Sequence, residues 1–149
     1  MAFETLHVGR ISVTHSVATD LNIIPSDLAS DGVRLSFNDE FIQRIKIATR
    51  SVNFAPLFVQ GSMTVALDKT SPIARRYYER ALSLAILDDM IVDTTTANFA
   101  DLQFKNVAIT RVDGFNEQAS GSDATITVTL GFDLYINGQI SAGALAGLV

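Results

Sequence analysis

Between Ser122 and Ile136 apolar and polar residues alternate without a break. Ala124, Ile126, Val128, Leu130, Phe132, Leu134 and Ile136 take the even positions, and Thr125, Thr127, Thr129, Gly131, Asp133 and Tyr135 stand between them. A strand sends successive side chains to opposite faces, so this period predicts one apolar face and one hydroxyl-rich face. At about 3.4 Å per residue the strand would span roughly 45 Å, against a usual length of five or six residues. Strands of that length belong to a large sandwich, a barrel, or an assembly in which sheets continue between subunits.

The same period recurs along the chain. Ile11, Val13, His15 and Val17 predict a first strand within 7–17. Val33, Leu35 and Phe37, a turn at Asn38-Asp39-Glu40, then Phe41, Ile45 and Ile47 predict a hairpin over 33–50. Beyond Pro56 come Val59, Gly61, Met63, Val65 and Leu67, a clean strand ending at Asp68-Lys69-Thr70. A slip of parity between Phe104 and Val107 predicts a β-bulge near Lys105-Asn106 in a strand over 102–112. That strand and 122–136 are expected to pair as a long hairpin across the polar stretch Asn116–Gly121, with Asn137-Gly138 closing the far end.

One segment changes period. Ile73, Tyr77, Ala81, Leu84 and Ala85 recur at helical spacing, with Arg75, Arg76, Glu79, Arg80 and Ser83 mainly opposite, so a helix is expected over about 72–87. Ser71 is its N-cap and Pro72 its first residue, where a missing N–H costs nothing.

Two stretches break the pattern while staying apolar. Residues 19–32 mix Leu21, Ile23, Ile24 and Leu28 with turn formers such as Asp20, Asn22, Pro25 and Gly32. Such a loop either docks on a neighbour or caps its own core. The tail 141–149 has no charged side chain and carries Leu145, Leu148 and Val149. Both stretches are read as assembly arms, ordered against neighbouring subunits, within a single domain spanning 1–149.

Composition favours assembly. Hydrophobic residues make up 48% of the 149 positions and charged residues only 18%, low against a usual quarter. The net charge of −5 argues against a nucleic-acid binder, whose footprint is basic. There is no cysteine, so disulfides and thiolate metal sites are excluded. The N-terminus lacks a signal-peptide layout, and no apolar run reaches a membrane span. Synthesis and assembly in the cytosol are expected.

Possible chemistry is sparse. His7 and His15 share a parity but stand eight residues apart, too far to hold one ion. Arg44, Lys46 and Arg50 oppose Ile45 and Ile47 in parity, a row that could grip phosphate but more simply forms a solvated face or subunit salt bridges. The run Arg75-Arg-Tyr-Tyr-Glu-Arg80 mimics a nucleic-acid patch, yet Glu79 interrupts it and Tyr77 lies on the apolar stripe. Asp88 and Asp89 form an acidic pair at the expected helix end, without a partner to tune them for acid–base work. No phosphate loop, serine elbow, zinc helix or calcium loop occurs. No catalytic, cofactor-binding or metal-binding residue is assigned, and no enzyme or cofactor is expected.

The segments Gly61-Ser-Met-Thr-Val-Ala-Leu-Asp-Lys-Thr-Ser-Pro72 and Phe104-Lys-Asn-Val-Ala-Ile-Thr-Arg-Val-Asp-Gly114, the latter leading into the threonine-rich strand, carry a resemblance. In pattern, residues 33–140 resemble the tail tube proteins of contractile-tailed bacteriophages of the Mu-like kind. The resemblance implies a mainly β fold, an antiparallel sandwich or barrel-like subunit with one flanking helix. It also implies a structural virion protein: a tail tube subunit whose hexameric rings stack into a hollow conduit for DNA ejection. Sheath, baseplate and terminator proteins would be its partners, and DNA would pass without specific binding. An acidic lumen would repel phosphates within a Debye length of about 8 Å, and Asp133, on the polar parity of the long strand, is the candidate for it. Other tube-like tail or baseplate components and secretion-system tubes share the resemblance. A soluble β-sandwich binding module is the alternative from another class.

Overall fold

The computed structural model describes residues 5–6, 8–115 and 124–136. Among these residues eight strands and one α-helix follow in chain order: β1 (Ser12–His15), β2 (Leu28–Phe37), β3 (Gln43–Lys46), β4 (Ser51–Phe54), β5 (Phe58–Asp68), α1 (Pro72–Ser83), β6 (Ile86–Asp93), β7 (Leu102–Asp113) and β8 (Thr125–Tyr135). Six strands form one antiparallel sheet in the order β1-β6-β7-β8-β5-β2, and β3 with β4 form a separate hairpin. The sheet is curled, and its apolar face shares one core with the helix. Of the two expected architectures, the barrel-like one is found.

The long alternating strand lies at the centre. β8 pairs along its full length with β5, from Thr125 opposite Asp68 to Tyr135 opposite Phe58, and on its other side with β7. Its even positions Ile126, Val128, Leu130 and Phe132 join the core that Ile73, Ala74 and Tyr77 of α1 also enter. The odd positions face the other way, where Thr125, Thr127 and Thr129 are half-buried. Hydrophobic burial along one parity therefore sets the register, since a slip of one residue would invert every side chain.

The expected bulge is present. Register shifts between Lys105 and Ala108, and Asn106 takes the left-handed conformation with φ 53°. A second bulge, at Asp88 with φ 62°, lies in β6 opposite Val107. Paired bulges increase local twist, which lets a sheet of this width curl.

Gly61 marks the tightest contact. A Cβ there would stand 2.6 Å from the Ser36 carbonyl oxygen of β2 and 2.8 Å from Phe132 Cζ. Backbone on one side and a core ring on the other leave nowhere to move. Gly61→Ala is therefore expected to destabilise by about 1–3 kcal/mol, measured by chemical denaturation; an unchanged midpoint would refute the close packing of β2, β5 and β8 at this point.

Four expectations need correction. First, the helix ends at Ser83 rather than near Leu87, because Leu84 is already extended and Leu87 is a buried strand residue. Ala85 O accepts the Ile109 amide at 2.7 Å, so the sheet takes the residues that helical periodicity claimed. Second, the hairpin over 33–50 does not form. β2 pairs with β5, and the true hairpin runs from Gln43 to Phe54. Third, the first strand shrinks to Ser12–His15, preceded by a single 3-10 turn at Val8–Arg10. Fourth, residues 19–32 are not a free arm. They form two single-turn 3-10 helices and the start of β2, and Leu21 and Ile23 are fully buried. Ile23 exchanges both backbone hydrogen bonds with Val13, Ser71 Oγ donates to Asp27 Oδ1 at 2.7 Å, and of the four apolar side chains only Ile24 stays well exposed. Core capping wins because these apolar side chains reach their own core without ordering anything else.

Candidate assembly surface

The connection from β2 to β5 leaves the sheet. Asn38 N donates to Gln60 O and Gln60 N donates to Asp39 Oδ2, which anchors the root. Beyond it every residue from Phe41 to Ser51 is exposed. In the hairpin Ile45 faces Val52 and Gln43 faces Phe54. Ile47 N donates to Arg50 O, so the register continues around a two-residue turn at Ala48-Thr49. One face of the arm thus carries Ile45, Ile47, Val52 and Phe54 with Gln43 and Arg50, and the other carries Arg44, Lys46, Ser51 and Asn53. The parity expected for the basic row holds for Arg44 and Lys46. Arg50 belongs to the apolar face, because the turn carries it across from Ile47.

Ile45 and Phe54 are each 53% exposed. An isolated two-stranded hairpin is marginal in water, and contiguous exposed apolar surface marks a contact site. Sequence reading placed the docking surface in 19–32 and missed this arm. The available signal was the second alternation, Val52 and Phe54, across the short turn after Ile47.

Two further surfaces belong to the sheet. The outer edge of β2 has no strand partner among the described residues, whereas β1 is partly covered by its bridge to Ile23. The sheet face opposite the helix is polar: Ser36 and Ser62 hydroxyls lie 3.2 Å apart, and Thr110 Oγ1 donates to Thr129 O. Asp133 sits on this face, where it accepts from Asn106 Nδ2 at 3.2 Å.

The other sequence candidates do not converge. His7 and the tail 141–149 lie outside the described residues. His15 is buried at 1% exposure, with Nε2 at 2.8 Å from Tyr77 Oη, and Tyr77 donates its proton to Leu21 O. Burial lowers the His15 pKa to about 4 and raises that of Tyr77, so this cluster is a neutral latch between β1, α1 and the 18–23 segment. Arg75 pairs with Glu79 at 2.9 Å and lies over the Tyr78 ring, a solvated helix face rather than a nucleic-acid patch. Asp88 and Asp89 fall inside β6, not at a helix end. Asp88 is the bulge residue and Asp89 binds Lys105 Nζ at 3.0 Å. Among the described residues no group of three or more His, Cys, Asp or Glu could hold a metal ion, and no helix is long and apolar enough to cross a membrane.

At the sequence level no family model and no curated protein matches the chain. Solved structures do match. A chain of the native gene transfer agent virion particle superposes with a TM-score of 0.54 at 11% identity, covering 89% of this chain and all of that one. A chain of the anti-feeding prophage cap, which terminates a tube, superposes with a TM-score of 0.55 at 12% identity, covering 91% of this chain and 92% of that one. The fold is one that virion and tube-cap assemblies use. Both superpositions span nearly the full length of the two chains, with few residues in common.

Proposed function

We propose that the chain is a structural virion subunit of a phage-type tail, a non-enzymatic tail tube protein whose single domain over 1–149 assembles as hexameric rings. The observation that carries this reading is the extruded arm, an amphipathic hairpin whose apolar face has no cover among the described residues, on a fold shared with virion and tube-cap chains. The open β2 edge supplies the second contact. Pairing it with a neighbour satisfies its free backbone groups and removes an aggregation-prone edge. Stacked rings then form a hollow conduit lined by the polar sheet face, where Asp133 and the hydroxyls meet passing DNA without gripping it. Sheath, baseplate and terminator proteins complete the tail, which is assembled in the host cytoplasm.

A second reading, a tube-terminating cap, is favoured by the likeness to the prophage cap. A cap would stop at a single ring. Negative-stain microscopy of the purified protein separates the outcomes: extended tubes of constant diameter are expected, single rings would favour the cap, and a dispersed 16.1 kDa monomer at high concentration would overturn both. The double substitution Ile45→Asp, Phe54→Ser is expected to abolish these particles while leaving the thermal transition of the subunit within a few degrees, since both side chains project into solvent.

A further inference from the structure

The β2 edge and the connection between β6 and β7 approach each other as the sheet curls, and a groove of about 500 Å³ lies between them. Its walls are Leu35, Phe37, Phe99, Leu102, Phe104 and Leu134. A smaller trough of about 170 Å³ continues it towards β1 along Val33 and Asp93. Phe99 and Phe37 stand exposed at its margin. This is the volume of a small-molecule pocket, open enough to admit a few side chains but not a whole hairpin.

The rim is acidic. Asp93 accepts the Asp101 amide at 2.8 Å and the Ser12 hydroxyl at 3.3 Å, which fixes its carboxylate beside the groove, and Asp101 stands next to Leu102. Neither forms an ion pair among the described residues. The arm carries the complementary set: an apolar face of Ile45, Ile47, Val52 and Phe54, flanked by Arg50 on the same face and by Arg44 and Lys46 behind it. Those three cations also lack ion pairs among the described residues.

We propose that the apolar face of the β3–β4 arm of one copy seats in the groove between β2 and the β6–β7 connection of a neighbouring copy, with Arg50 at the Asp93–Asp101 rim. This rests on the assembly reading above and names the surface that receives the arm. Charge decides between occupants. The chain's own segment 137–149 begins close to Leu134 but has no charged side chain to answer the rim. The arm matches the groove in both polarity and sign. Its small footprint also explains why the contact belongs to the assembled state, because a stable pair needs about 1,200 Å² or more and the strand edges must supply the rest.

The chain has no cysteine, so single thiols can be placed on a clean background. Gln43→Cys marks the arm, Thr95→Cys the groove, Thr127→Cys the polar sheet face, and Leu145→Cys the C-terminal segment. Equimolar mixtures of assembled variants are treated with a short bismaleimide and resolved by denaturing electrophoresis. The Gln43→Cys and Thr95→Cys mixture is expected to give a crosslinked dimer at least tenfold more abundant than Gln43→Cys with Thr127→Cys. Particles that form without that dimer would overturn the arm-in-groove contact and leave the assembly reading standing. A link within one chain carrying both Gln43→Cys and Thr95→Cys at high dilution would show the arm folding onto its own groove, and would also overturn it. So would a dominant Leu145→Cys to Thr95→Cys link. Failure of the unsubstituted protein to form particles would remove the assembly reading and this contact together.

Discussion

Phe132→Ala is expected to cost about 3–5 kcal/mol of subunit stability. The ring is 3% exposed and lies between two aromatic partners. Its centroid is 4.1 Å from that of Phe104 on β7 and 5.9 Å from that of Phe37 on β2, the latter nearly perpendicular at 88°. Below it sits Gly61, directly across the β5–β8 pair. Removing the ring leaves a void that close-packed strands cannot collapse into, so lost transfer energy and cavity energy add. Phe132→Leu keeps most of the volume and should cost roughly 1–2 kcal/mol. Because Phe132 and Gly61 touch, Gly61→Ala should be less damaging in the Phe132→Ala background than in the natural one, a coupling that a double-mutant cycle measures. A soluble Phe132→Ala protein with an unchanged denaturation midpoint would sink the core assignment of β8.

Acid is expected to destabilise the subunit between pH 6.5 and about 4, by on the order of 3 kcal/mol from His15 alone. Tyr77 donates its proton to Leu21 O, so His15 must donate from Nε2 to Tyr77 Oη, and the neutral ring keeps its lone pair on Nδ1. Nδ1 has no hydrogen-bond partner among the described residues. Protonating it places a charge where burial opposes it and where Arg80 adds repulsion, while Asp20 offsets part of the cost. The sign follows from proton binding. In this window the unfolded chain takes up a proton at His15 and the folded chain does not, so stability is full above pH 6.5 and falls as pH is lowered. Below about 4 both states are protonated and the loss levels off. Asp68, held below the usual carboxylate range by hydrogen bonds from Thr70, keeps its stabilising contribution through this window and loses it only as pH falls further, so the two effects separate. Denaturation midpoints from pH 7.5 to 4 should show this slope, and His15→Gln should flatten it. An equal slope in that variant would assign the acid sensitivity elsewhere.

Periodicity makes much of the sheet legible in the sequence. The period of two over Ile126–Phe132 and Val59–Leu67 correctly predicted the core-facing side chains, with Ala66 buried as well on the other parity, because a strand with one dry face leaves no choice of register. Ser71-Pro72 located the helix start, and the slipped parity at Lys105-Asn106 located a bulge, since both depend on backbone chemistry within a few residues. The resemblance to tail tube proteins likewise rested on local strand-and-cap patterns, and it led to the fold class that the virion and tube-cap likenesses share.

What only the tertiary structure decided are the pairings between distant segments. Leu84 to Leu87 fit a helix equally well by spacing, yet β7 took Ile86 and Leu87 into β6 and bonded the Ala85 carbonyl. Leu21 and Ile23 read as docking residues until their own core took them in. Conversely, Ile45 and Ile47 read as the second strand of a hairpin with Val33–Phe37, yet β2 pairs with β5 and leaves them projecting beside Phe54. An apolar side chain is buried by whichever surface reaches it first at least cost in chain entropy. Local sequence specifies which face is dry, and only the folded chain shows whether the cover comes from within the subunit or from outside it.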